Sequence, residues 1–132
     1  MSELLSACKA LAALVRDHGQ PTIDEVNFVA HSALELGLDH EQHAEVQSVL
    51  ENGGDYSQFI STIESRDVRV FLFRRVVEAT LLDDQINETE KQYISATAQA
   101  FGYSNDVVDE FVAWMRDGMD WEKRGLAIID RM

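Results

Sequence analysis

The stretch Thr22-Ile23-Asp24-Glu25-Val26-Asn27-Phe28-Val29 returns 65 positions later as Asn87-Glu88-Thr89-Glu90-Lys91-Gln92-Tyr93-Ile94, and that recurrence decides the fold. In each copy a small polar residue is followed three positions on by a glutamate, the pattern of a capping box. Apolar residues then recur at helical spacing. Continuing in the same register, Ala33 falls on Ala98, Gly37 on Gly102 and Glu45 on Glu110. At the far end Asn52-Gly53-Gly54-Asp55-Tyr56 falls on Asp117-Gly118-Met119-Asp120-Trp121. The register holds without a gap over about a hundred positions, so the chain reads as an internal duplication.

Working outward, each unit reads as helix, polar corner, helix, glycine turn, helix, stop and short helix. Leu4, Ala7, Cys8, Leu11, Leu14 and Val15 form an amphipathic stripe ending near Asp17, and Gly19 and Pro21 break it. The Thr22 helix runs to about Leu36, where Gly37 is placed for a left-handed cap. Asp39 with Gln42 opens a third helix to Glu51, and a short helix follows from Asp55 to about Glu64. From Arg66 to Leu82 apolar residues cover most of the circumference, which predicts a central helix packed on several sides. In the second unit the Asp117-Gly118-Met119 stop predicts another short helix from Asp120. The expectation is an all-α, single-domain bundle of about seven or eight helices over residues 1–132. Unit one spans about 2–64 and unit two about 67–129, packed about a pseudo-twofold axis. Trp114, Trp121 and the Phe-rich central helix are expected to supply much of the core.

Composition fits a globular domain: 45% hydrophobic, 27% charged, one Pro and seven Gly. Asp and Glu outnumber Lys and Arg by 24 to 11, a net charge of −13. Such a surface repels nucleic acid and anionic lipid, and favours cations or a protein partner with a basic surface. The single cysteine, Cys8, excludes an internal disulfide and fits a reducing compartment. Leu5-Ser6-Ala7-Cys8 has the outline of a lipoprotein box but lacks the basic start and long apolar stretch that would precede one. With no run approaching a membrane span, a cytoplasmic protein without direct membrane insertion is expected.

The polar corner of each unit carries the chemistry. In the second unit it reads Leu82-Asp83-Asp84-Gln85-Ile86-Asn87-Glu88-Thr89-Glu90, and in the first Asp17-His18-Gly19-Gln20-Pro21-Thr22-Ile23-Asp24-Glu25. Acids close one helix and open the next, so at a tight corner their oxygens can cluster around Ca²⁺, Mg²⁺ or Mn²⁺. Asp83, Asp84, Asn87 and Glu90 are the candidate ligands, with Asp17, Glu25 and His18 as a weaker mirror site. Asp83-x-x-Ile86-Asn87-x-x-Glu90 matches the second half of an EF-hand loop. Ala79 and Leu81 stand where its first ligands belong, so it is not one. Capping explains Glu25 and Glu90 equally well, because acids in a first turn are stabilised by the helix dipole without any ion.

These motifs resemble the TerB-like tellurite-resistance family: Asp83 to Glu90 with Phe101-Gly102-Tyr103, and Thr22 to Glu25 with Leu36-Gly37-Leu38. The resemblance covers about residues 5 to 117. It implies an all-α domain of a bacterial stress response that binds divalent cations through acidic loops and has no enzymatic activity. Asp84 stands where the family has Gly, and in the first corner the aspartate is displaced to Asp17 or replaced by His18. The second corner is therefore the better candidate.

Other constellations are weaker. His40 and His43 lie one turn apart with no further ligand positioned, so one exposed and one partly buried histidine is expected. Cys8 and His31 align with Phe73 and Ala96, which points to packing rather than chemistry. No Glu-x-x-His, His-Glu-x-x-His or phosphate-binding glycine loop occurs. Arg66, Arg69, Arg74 and Arg75 are expected to pair with the protein's own carboxylates. The function expected is a non-enzymatic stress-response protein binding a divalent cation. The alternative is a protein-interaction module whose acids only cap and solubilise.

Overall fold

The computed structural model describes residues 2–17, 19–81 and 88–132, with the backbone alone for 88–90. Among the described residues the architecture is all-α, a single-domain bundle of seven helices: α1 (Glu3–Asp17), α2 (Ile23–Glu35), α3 (His40–Asn52), α4 (Tyr56–Ser61), α5 (Arg66–Leu81), α6 (Glu88–Phe101) and α7 (Asn105–Asp130). No helix among them is long and apolar enough to cross a membrane.

Helix starts follow local chemistry. The Thr22 hydroxyl accepts from the Glu25 amide at 3.2 Å while Glu25 accepts from the Thr22 amide at 2.9 Å, a complete capping box. Asp39 and Gln42 repeat that arrangement at α3, and Asp55 and Ser104 cap α4 and α7. Gly37 (φ 70°) and Gly102 (φ 75°) take the left-handed conformation that ends α2 and α6. The starts of α2 and α6, and of α3 and α7, are both separated by 65 residues.

Two expectations are overturned. The most enclosed helix is α1 rather than the Arg66–Leu82 segment, although that segment does pack on several sides, against α1, α6 and α7. Every residue from Leu5 to Val15 is buried, and α2, α3, α4 and α5 all pack on this helix. Alanines at 7, 10, 12 and 13 let those neighbours approach closely. Lys9 shares this burial and donates to Glu45 at 3.1 Å. Helix α5 buries Leu72, Phe73, Val76, Val77 and Thr80 but leaves Val70 and Arg74 exposed. An apolar circumference measures what a helix could bury, whereas burial depends on what actually packs against it.

The second correction explains the first. Helix α7 runs unbroken through Asp117-Gly118-Met119, where a stop and a short helix were expected. In the first unit the stop needs two glycines. Gly53 adopts φ 82°, ψ −179°, a backbone conformation nearly confined to glycine. Gly54 lies beneath the Phe59 ring, where an added Cβ would come within 2.8 Å of the ring. In the second unit Met119 replaces Gly54, and a lone glycine inside a helix costs only about 1 kcal/mol. The helix therefore continues, nothing equivalent to α4 folds back on α5, and Trp114 and Trp121 stand exposed rather than in the core. The core is instead the aliphatic α1 with Val29, Leu50, Ile60, Ile63, Val76 and Val77. Phe73, Tyr103, Phe101 and Phe111 extend it as rings with centroids 5.1 to 5.9 Å apart.

Candidate functional site

At the first acidic corner Asp17 and Glu25 each have their own partner. Asp17, the last residue of α1, accepts from the Tyr93 hydroxyl of α6 at 2.6 Å. Glu25 is engaged in the capping box with Thr22. Asp83, Asp84 and Asn87, with His18, lie outside the described residues, as does the side chain of Glu90. Among the described residues no three His, Cys, Asp or Glu side chains converge where they could hold a metal ion.

The Asp17–Tyr93 bond belongs to a polar junction between the units. Tyr56 of α4 meets Tyr93 edge-on with centroids 4.8 Å apart. The Tyr56 hydroxyl is hydrogen-bonded to Thr97, whose own hydroxyl donates to the Tyr93 carbonyl at 2.6 Å. Burial pushes both tyrosine hydroxyls above their ordinary range, and the Asp17 carboxylate raises Tyr93 further. Both phenols therefore stay protonated. As neutral donors they hold α1, α4 and α6 in one register.

A second cluster joins α2 to α5. Arg75 is clamped by Glu35 and Glu78, and its guanidinium stacks over Phe28 and Phe71. His31 lies 3.1 Å from Glu35. The Arg75 hydrogen bond holds the Glu35 carboxyl below the usual carboxylate range. Arg74 pairs with Glu78, and Arg66 with Asp67. Arg69 departs from the expected pairing: it donates to the Ile63 carbonyl at 2.8 Å and lies over the Phe101 ring. His40 is exposed and His43 half-buried, as their sequence context predicts. Cys8 is fully buried, and burial pushes its thiol up to about 12, so it is a packing residue.

The most conspicuous surface feature escaped the sequence reading. Helix α7 buries only Met115, and it carries Val107, Trp114, Trp121 and Ile128 exposed at 54%, 57%, 72% and 52%. These four are spaced by seven, so they lie along one line of the helix. That spacing was legible, but the expected break at Gly118 divided it between two helices. A strip of this size on a small protein marks an interaction surface more often than a solvated one. Compared with models of known protein families, with curated proteins and with solved structures, the chain matches none.

Proposed function

We propose that the protein is a non-enzymatic association module, an acidic helical bundle that presents the projecting part of α7 to another polypeptide chain. The observation that carries this reading is the exposed line of Val107, Trp114, Trp121 and Ile128. Large apolar side chains of this kind contribute about 1.5–3 kcal/mol each when fully buried, and aromatic anchors dominate protein interfaces. The test compares wild type with Trp121→Asp/Ile128→Asp. Both are immobilised and offered a tagged copy of the chain and a cell extract. Binding that depends on Trp121 and Ile128 supports the reading; equal retention by the two proteins removes it.

A second reading is the divalent-cation site implied by the TerB-like resemblance, centred on Asp83, Asp84, Asn87 and Glu90. Its support is the acidic sequence of the second corner, Asp83-Asp84 followed by Asn87 and Glu90, which carries that resemblance. Ca²⁺, Mg²⁺ or Mn²⁺ at a hundred times its dissociation constant should add about 2.7 kcal/mol of stability. Melting curves with each ion report it, and a shift that persists in Asp83→Ala/Glu90→Ala rules out these ligands.

A further inference from the structure

We propose that the partner of α7 is α7 of a second copy, packed antiparallel about a twofold axis to form a homodimer. This rests on the reading of α7 as an association surface and names its occupant.

Three features of α7 carry the inference. The first is a continuous heptad seam. Val107, Phe111, Trp114, Gly118, Trp121, Gly125, Ile128 and Met132 follow one another at alternating steps of four and three, the spacing of a two-helix interface. From Val107 to Ile128, the last of them within α7, the seam runs for about 32 Å along the helix. In the proximal half Phe111 also packs on Phe73 of the chain's own core and Trp114 lies against Phe111 and Arg74, yet Val107 and Trp114 stay more than half exposed; Trp121 and Ile128 of the distal half are exposed too.

The second feature is the pair of glycines. Gly118 and Gly125 stand inside a continuous helix, where each costs about 1 kcal/mol relative to alanine. Neither has a positive φ, and a Cβ built on either meets nothing within 4 Å. Nothing among the described residues requires these positions to lack a side chain. A neighbour that approaches the helix surface closely does require it.

The third feature is complementarity, which selects both the partner and its direction. Antiparallel packing in one register sets Gly118 against the partner's Trp121 and Gly125 against the partner's Trp114. It also sets Phe111 against the partner's Ile128. Each indole then fills a space left by a missing side chain, as close packing demands. The flanking charges agree: Asp117 comes beside the partner's Arg124, and Glu110 beside the partner's Arg131. Parallel packing would stack indole on indole, glycine on glycine, and Asp117 beside the partner's Glu122. Volume and charge thus both favour the antiparallel pair over the parallel one.

Sedimentation velocity of the full chain, from dilute to concentrated protein, tests this. Wild type should approach twice the 14.9 kDa of one chain. Gly118→Leu fills the space for the partner's indole and should weaken the dimer at least about tenfold, although leucine is the better helix former. Asp117→Arg and Arg124→Asp each create two like-charge contacts and should weaken it similarly. Mixing those two variants should restore a heterodimer, because each then meets its opposite. Helical circular dichroism checks that each variant is folded. A wild type that stays at 14.9 kDa throughout overturns the homodimer. If Trp121-dependent binding to another protein persists there, the association reading stands without it. A dimer indifferent to Gly118→Leu and to both charge reversals overturns the assigned seam.

Discussion

Gly53 and Gly118 occupy equivalent positions in the two units, yet the structure makes opposite demands on them. At Gly53 the backbone has φ 82° and ψ −179°, and at Gly118 it is helical. Steric crowding is negligible at both: an added Cβ would meet only Arg16 Cγ at 3.9 Å at Gly53, and nothing at Gly118. The effect of alanine is therefore almost wholly conformational. Gly53→Ala forces an L-residue into a strained region, a loss of about 1–3 kcal/mol. Gly118→Ala removes glycine from a helix interior, a gain of about 0.8–1 kcal/mol. The two substitutions should differ by about 2–4 kcal/mol, with opposite signs. For a chain of this length 1 kcal/mol moves the melting temperature by about 3–5 °C, so Gly118→Ala should melt a few degrees above wild type and Gly53→Ala several below. Urea unfolding at a dilution where self-association contributes nothing gives the free energies directly. Equal destabilisation by the two substitutions would refute the continuous α7, because it would mean that the chain also breaks at Gly118.

The remaining predictions concern the polar contacts. A double-mutant cycle with Asp17→Asn and Tyr93→Phe should give a coupling of about 1 kcal/mol, below the usual value for a charge-assisted hydrogen bond because Asp17 is exposed; a coupling near zero would deny the link between α1 and α6. Glu3 accepts from the amides of Glu64 and Ser65, and these bonds hold its carboxyl below the ordinary value. The stability it contributes is fully present above the unfolded carboxyl range and is lost as pH falls through the folded value, so Glu3→Gln should flatten the acid limb of a stability–pH curve. Cys8, with its thiol raised to about 12, should resist alkylation until the protein unfolds, and its labelling rate should rise along the urea transition.

Much of the fold was legible because its signals are local. Capping boxes at Thr22 and Asp39, and glycines at 37 and 102, act within a few residues, so their pattern in sequence is their structure. The burial of Cys8 followed from its alignment with Phe73. The candidate ion ligands were less legible, because an acid in a first turn serves capping and coordination alike. Glu25 is engaged in capping, and Asp17 in a bond to a residue 76 positions away that no spacing rule connects to it.

The sequence by itself determined the helices up to the start of α7, the caps at Thr22 and Asp39 and the 65-residue repeat, since each depends on backbone geometry that neighbouring residues dictate. Tertiary structure alone decided which helix is most enclosed and which large apolar side chains stay exposed. Burial is a property of what packs against a helix, so α5, apolar nearly all round, kept Val70 exposed and Val68 and Phe71 only half-buried, while the alanine-rich α1 was enclosed. Replacing Gly54 by Met119 in the repeat removed a turn that needs both the positive φ of Gly53 and the room a bare Gly54 leaves for the Phe59 ring. One uninterrupted helix then carried two tryptophans out of the core and onto the surface.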